Sequence, residues 1–260
     1  MSQVDRIYKL AFRKNFTNHE CNFPPSKTVG LGDYGVMKNG FFSRLGNISD
    51  PKVGLTFDVD IDENPTRETF KSTNDITVSF LAKGAINAEG IVMPKAQVEV
   101  AFGSSKAVYF SAAAVLYNEI KDIATLGEQI LNLYKEDKWK KEYVIVTRVF
   151  QGKNVIILIS GTSNCKVNIE ADASVPNIDL ADANVKLNIS HSSQTAYEII
   201  SNDVCQIGMG FSRVYDNFFI KPNFKTGTTN NELFAALDHT KSKNVVFGDI
   251  SPESLDSELA

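Results

Sequence analysis

Apolar and polar residues alternate along this chain with two distinct periods. Residues 3–15 (QVDRIYKLAFRKN) set Ile7, Leu10 and Ala11 on one side of a 3.6-residue repeat, with Arg6, Lys9 and Arg13 three and four positions apart, which predicts a short amphipathic helix. The same repeat returns in DIATLGEQILNLYKEDKW, where Ile123, Leu126, Ile130, Leu131 and Tyr134 share a face and predict a second helix. Elsewhere the period is two. VGLTFDVDIDENP reads as a strand ending at Pro65, and NDITVSFLAKGAI as another. In KAQVEVAFGSSKAVYFSAAAVLYNEI, Val98, Val100 and Phe102 alternate with Gln97 and Glu99, and Val108 and Phe110 resume the alternation after the polar turn GSSK. KKEYVIVTRVFQGKNVIILIS reads as two strands turning at residues 151–154. CKVNIEAD alternates Val167 and Ile169 against Asn168 and Glu170, and NVKLNIS, AYEII and CQIGMGFSRVY follow. The last forty residues are turn-rich, with a weak helical pattern at NNELFAALDH and a polar end. Helices and strands do not alternate one for one, which argues against a parallel doubly wound sheet. It predicts an α+β fold with a large, twisted, mostly antiparallel sheet and a few packed helices.

TVGLGDYGVMKNGFF contains Gly30, Gly32 and Gly35, a literal G-x-G-x-x-G. A dinucleotide turn needs a buried strand before the glycines and a helix after them. Here Pro24 and Pro25 stand upstream and the hairpin signal KNG downstream, so the stretch is read as a turn followed by the short strand GFFSRLGNI. DVDIDE spaces Asp58, Asp60, Asp62 and Glu63 like the start of a calcium loop, but the glycine of the sharp turn is replaced by Glu63, which favours a strand with an acidic face. The histidines, His19, His191 and His239, are isolated, and SGTSN around Ser163 lacks the second glycine of a nucleophile elbow. No catalytic, cofactor or metal motif emerges, and the chain is not expected to be an enzyme. Net charge is −4, which gives no footprint for nucleic acid. The three cysteines are far apart, a pattern suited to a reducing cytosol. Charges interrupt the apolar residues of the N-terminus, so it does not read as a signal peptide, and no apolar run approaches the ~20 residues of a transmembrane helix.

Membrane β-strands need about ten alternating residues each, and the strands in AQVEVAFGSSKAVYFSAAAVLY and YVIVTRVFQGKNVIILISG approach that length. Half-buried strands of a soluble sheet alternate in the same way. WKKEYVIVTRVFQGKNVIIL (139–158), after the amphipathic IATLGEQILNLYKED, resembles a strand-and-turn segment of gasdermin N-terminal domains. CQIGMGFSRV (205–214) is similar to their late strand, VDRIYKLAFRKNF (4–16) to their basic first helix, and AQVEVAFGSSKAVYFSAAAVL to the strands before the helix in bacterial members.

The resemblance implies a gasdermin-N-like fold at residues 1–221 and an autoinhibitory tail at 222–260. It implies a protein that is cytoplasmic at rest and activated by proteolysis. The freed domain would bind acidic lipid in the inner or plasma membrane and oligomerise with copies of itself through β-hairpins into a pore that kills the cell, as in antiphage defence. Carried onto this sequence, Arg6, Lys9, Arg13 and Lys14 are expected to meet lipid. Val98, Val100, Phe102, Val108, Phe110, Val155, Ile157, Ile159, Val167 and Ile169 are expected on membrane hairpin faces, within segments 76–117 and 143–190. Lys225, Thr226 and Gly227 mark the expected cleavage region. The competing expectation is a soluble β-rich binding, adaptor or immunity protein without pore activity.

Overall fold

The computed structural model describes residues 2–17, 19–25, 28–38, 41–84, 95–171, 178–180, 182, 184–216 and 245–251. Helix α1 (Gln3–Asn15) starts at a reciprocal capping box: the Ser2 hydroxyl accepts from the Asp5 N–H at 3.1 Å, and the Asp5 carboxylate accepts from the Ser2 N–H at 2.9 Å. Its buried stripe differs from the expected one. Tyr8, Lys9, Ala11 and Phe12 face inward, while Leu10 is 58% exposed. The aromatic pair at i and i+4 carries more apolar area than a leucine and turns the helix about its axis.

The remaining elements are β1 (Glu20–Cys21), β2 (Asp33–Lys38), β3 (Phe41–Asn47), β4 (Val59–Asp60), β5 (Thr66–Lys71), β6 (Ile76–Leu81), β7 (Gln97–Phe102), β8 (Val108–Ile120), α2 (Ile123–Lys135), β9 (Val144–Ser160), β10 (Cys165–Ala171), β11 (Leu187–Ser193), β12 (Thr195–Ser201), β13 (Cys205–Asp216) and β14 (Val245–Ile250). The strands form a ten-stranded sheet and a four-stranded sheet, β11-β10-β7-β6. Their ladders are antiparallel throughout. Sheets therefore dominate, as the period of two predicts. The described residues hold two helices, fewer than the few expected.

Strand β9 is the axis of the larger sheet, flanked by β8, β12, β13 and β2. It is one strand of 17 residues, not two strands turning at 151–154. Asn154 has φ +50° and Ala114 of β8, close to its level, has φ +50° as well, so both strands kink together without reversing. The run VIILI is apolar at every position because both faces are buried. Ile156 and Leu158 enter one core, and Val155, Ile157 and Ile159 enter another.

Further departures concern shorter pieces. The strand expected across 53–65 reduces to β4, with Val59 and Ile61 41% and 65% exposed. The loop at 18–27 contributes β1 to the edge of β13. In the glycine-rich stretch, Gly32 turns the chain at φ +77°, whereas Gly35 sits inside β2, where a Cβ would lie 2.0 Å from the Ser43 carbonyl oxygen. Strand β2 pairs with β3 in a hairpin, as KNG predicts.

Helix α2 begins at Asp122, whose carboxylate accepts from the Thr125 N–H at 3.0 Å, and buries Leu126 and Ile130 against Ile48, Trp139, Ile145 and Val214. Phe247 completes that cluster from β14. The expected tail therefore returns a strand to the main sheet.

Candidate functional site in the folded strands

Four strands of the larger sheet lie in the order β5-β8-β9-β12, and the smaller sheet repeats that order as β6-β7-β10-β11. Each strand of one run connects directly to its counterpart in the other: β5 to β6 through 72–75, β7 to β8 through 103–107, β9 to β10 through 161–164, and β11 to β12 at Gln194. The four-stranded unit is thus folded over on itself along one seam. β7 and β8 are not the paired hairpin that the sequence pattern suggests; they belong to different sheets, and β7 pairs instead with β6 and β10. A turn sequence such as GSSK reverses the chain in either arrangement. Which strands then exchange hydrogen bonds is decided by distant partners.

Between the layers, Ile76, Val98, Val100, Phe102, Cys165, Val167, Ile169 and Leu187 of the smaller sheet meet Tyr109, Ile156 and Leu158 of the larger. The outer face of the smaller sheet is polar, with Lys166 on Glu99 at 3.1 Å and Lys95 on Glu170 at 3.2 Å. The ten positions expected on membrane hairpin faces are all buried, at 3% exposure or less. They do not form one surface here. Val98, Val100, Phe102, Val167 and Ile169 line the core between the layers, whereas Val108, Phe110, Val155, Ile157 and Ile159 lie on the opposite face of the larger sheet, in the cluster with Tyr8 and Phe12 of α1.

The seam is laced by backbone hydrogen bonds from one turn to the next. Gly103 N–H donates to Asp75 O (3.2 Å), Lys106 to Ser160 O (3.0 Å), Ser160 to Ala107 O (3.0 Å), Asn164 to Phe102 O (2.9 Å) and Gly161 to Gln194 O (2.9 Å). The buried Ser160 hydroxyl also donates to Ser104 O at 2.7 Å and accepts from the Ala107 N–H at 2.9 Å. Lys106, Asn164 and Gln194, one in each of three turns, hold φ of +61°, +67° and +58°. Sequence reading did not identify these three; GSSK and GTSN mark turns but not their handedness.

The four basic residues of α1 separate. Arg6 and Lys14 are exposed, but Lys9 and Arg13 turn inward to the Glu20 carboxylate at 3.3 and 2.5 Å, with side chains less than a tenth exposed. The adjacent His19 packs its ring on Phe150 with centroids 4.2 Å apart. Burial, followed by the positive charge of Arg148, lowers its pKa from 6.5 to about 4.

Strand β14 pairs with β13 from Phe211–Ile250 to Asp216–Val245. Phe247 is 1% exposed beneath α2, Ile250 enters the cluster of Val146, Met209 and Phe211, and Asp249 accepts from Arg148 and, at 2.8 Å, from the Ser212 hydroxyl. Lys225, Thr226, Gly227 and the helical pattern at 230–239 lie outside the described residues.

At the open side of the β5–β6 fold is a cleft of about 290 Å³ between Thr69, Tyr109 and Ser111 on one wall and Val78 and Phe80 on the other. Arg67 and Asp179 pair across its mouth at 3.1 Å, both about 60% exposed, so that pair contributes little. Among the described residues no three His, Cys, Asp or Glu side chains are grouped to hold a metal, and the DVDIDE acids are turned to other work: Asp62 accepts from the Tyr117 N–H at 3.2 Å. Cys21, Cys165 and Cys205 are free thiols.

No family model matches this chain, and no curated protein matches it. Among solved structures it is similar to a bacterial gasdermin from Bradyrhizobium tropiciagri, with 16% identity over 80% of this chain and 86% of that one and a TM-score of 0.36.

Proposed function

We propose that this chain is a gasdermin-like pore former whose folded-over strands straighten into two membrane hairpins. The observation that carries the reading is the register at the seam. Phe102 pairs with Cys165 on one side and Val108 with Ile159 on the other, so six residues forward along one chain matches six back along its partner. Straightening would therefore join β7 to β8 and β10 to β9 without slippage, and residues 103–107 would come opposite 160–164. The joined strands would run 97–120 and 144–171, well beyond the roughly ten residues that cross a bilayer. β5–β6 and β11–β12 would complete two hairpins, and along these outer strands the register must shift: Lys71–Tyr109 to Ile76–Phe102 is five residues against seven, and Ser193–Lys166 to Thr195–Ser160 is two against six. A closed ring of such hairpins would satisfy every strand edge inside lipid.

The tail and the first helix complete the reading. Strand β14 occupies the edge of β13 and bridges to α2, which supports a restraining role for the segment after residue 221; a protease cutting at Lys225–Gly227 would sever that segment from the core. The acidic-lipid contact is narrowed to the exposed stripe Arg6, Leu10 and Lys14, since Lys9 and Arg13 serve Glu20. Each of the two exposed cations contributes roughly 1 kcal/mol at an anionic surface.

The test is dye release from cardiolipin-containing vesicles by the full chain, before and after cutting at a protease site placed at 225–227. Release by the cut chain alone is expected, lowered about five-fold by each of Arg6→Gln and Lys14→Gln, and absent from zwitterionic vesicles. If the cut chain leaves anionic vesicles intact, the pore reading fails and a soluble binding or adaptor role takes its place.

A further inference from the structure

We infer that the seam is a single cooperative hinge, set by the left-handed residues Lys106, Asn164 and Gln194. The inference rests on the proposed straightening of the strands and specifies what governs it.

None of these residues is glycine; the left-handed region crowds the Cβ of Lys106 and Gln194 and is less costly for Asn164, whose short polar side chain tolerates it. All three are exposed, so their side chains do not hold the turns through burial. Straightening would move each from the left-handed region into the extended region, which any side chain adopts without that crowding. The bent form thus carries a conformational strain at three neighbouring turns that the straight form lacks.

The hydrogen bonds make the turns open together. Asn164 N–H reaches back to Phe102 O, Lys106 N–H to Ser160 O, and Gly161 N–H to Gln194 O. The turn at 103–107 is therefore bonded to the turn at 161–164, and that turn to Gln194. Ser160 ties the first two again through its buried hydroxyl. One turn cannot straighten without breaking the bonds its neighbours make to it. Strain at one position then biases the whole seam.

Lys106 gives the cleanest test because its side chain is exposed and two substitutions act on its backbone with opposite sign. Lys106→Gly relaxes the bent form; Lys106→Val burdens it, and valine also favours the extended state. Amide exchange is measured on the full chain without membrane, at Lys106, Gly161 and Asn164. The expected result is one shared opening constant for the three amides, lowered about five-fold by Lys106→Gly and raised at least as much by Lys106→Val. Asn164→Gly, at an equally exposed turn, should act in the same direction as Lys106→Gly. Independent opening of the three amides would overturn the inference, as would Lys106 substitutions that leave Gly161 and Asn164 unmoved or shift them in the same direction. Dye release by the cut chain separates the two levels. If exchange follows the expected order while vesicles stay intact, the hinge stands and the pore reading falls.

Discussion

Phe247→Ala should release the tail strand while leaving the rest of the fold in place. Phe247 is 1% exposed and fills a pocket made by Ile48, Leu126, Ile130, Trp139, Ile145 and Val214. Truncating a buried phenylalanine to alanine costs about 3–5 kcal/mol, the lost transfer energy plus the cavity left behind. Among the described residues β14 sits at a sheet edge and pairs with β13 alone, so that cost falls on its docking rather than on the β8–β9 centre. At about 1.4 kcal/mol per factor of ten, docking should weaken by roughly two to three orders of magnitude. Amide exchange reads this directly: protection at 246–250 should drop on that scale while protection through 155–159 of β9 holds. Phe247→Leu, which keeps an apolar group in the pocket, should lose much less. Equal loss of protection in β14 and β9 would refute the reasoning, because the strand would then be an integral part of one folding unit and not a separable restraint. Unchanged protection would refute it too, by placing the docking energy in the ladder and the Asp249–Arg148 pair instead.

Two further outcomes follow from the polar groups beneath and beside α1. Glu20→Ala removes the carboxylate shared by Lys9 and Arg13 in a site less than a tenth exposed, and should cost about 3 kcal/mol or more, a Tm fall on the order of 10 °C, whereas Leu10→Ala on the exposed side should be close to neutral; equal small effects would show that the ion pairs add nothing. His19 is held neutral in the fold, with a pKa of about 4 against about 6.5 when unfolded, so the unfolded chain takes up more protons below pH 6.5 and stability should fall as pH drops from 6.5 toward 4. Urea midpoints of the parent and of His19→Gln should diverge over that range, and parallel curves would refute the assignment.

How much of this was legible in the sequence varies by element. Helix α2 was readable because Leu126 and Ile130 face one core with a clean 3.6-residue repeat. The β2–β3 hairpin was readable because KNG carries its own turn chemistry. Helix α1 was placed in the right residues but rotated, since Ile7, Leu10 and Ala11 suggested one stripe and another won through ring contacts, Tyr8 on Phe23, Phe12 on Phe110 and the partly buried Phe16 on Phe110 and Phe150. The basic cluster dissolved for the same reason: Lys9 and Arg13 follow the aromatic stripe inward, where Glu20 meets them. QGKN has the composition of a turn and makes a kink, because β8, β12 and β13 hold β9 straight on both sides of it. Strand β14 was missed although VVFGDI is apolar enough to pair. Its neighbours in sequence are polar, and its partner β13 ends 28 residues earlier in the chain, between Asp216 and Val245. Local pattern reports which face of a strand is apolar. It does not report which strand lies alongside.

That distinction bears on what the alternating strands are for. A hairpin with one apolar and one polar face is soluble only if the apolar face is hidden, and membrane-competent only if it can be uncovered. The fold meets the first condition, and the proposed straightening would meet the second with the same residues. The smaller sheet turns its Val98, Val100, Val167 and Ile169 face onto the larger sheet and leaves Glu99, Lys166 and Glu170 in water. Straightening would reverse neither face; it would separate two layers, breaking the bonds from Asn154 to Asp182 O and Val185 O and those between Asn202 and Leu187 as well as the seam. Residues 103–107 and residues 160–164 are each five residues between the last paired position on one side and the first on the other, an odd number. Val98, Val100 and Phe102 would therefore continue in phase with Val108 and Phe110, as Val155, Ile157 and Ile159 would with Val167 and Ile169. The ten positions that the fold divides between two cores would fall on a single face of the straightened strands, which is the arrangement the proposed pore requires.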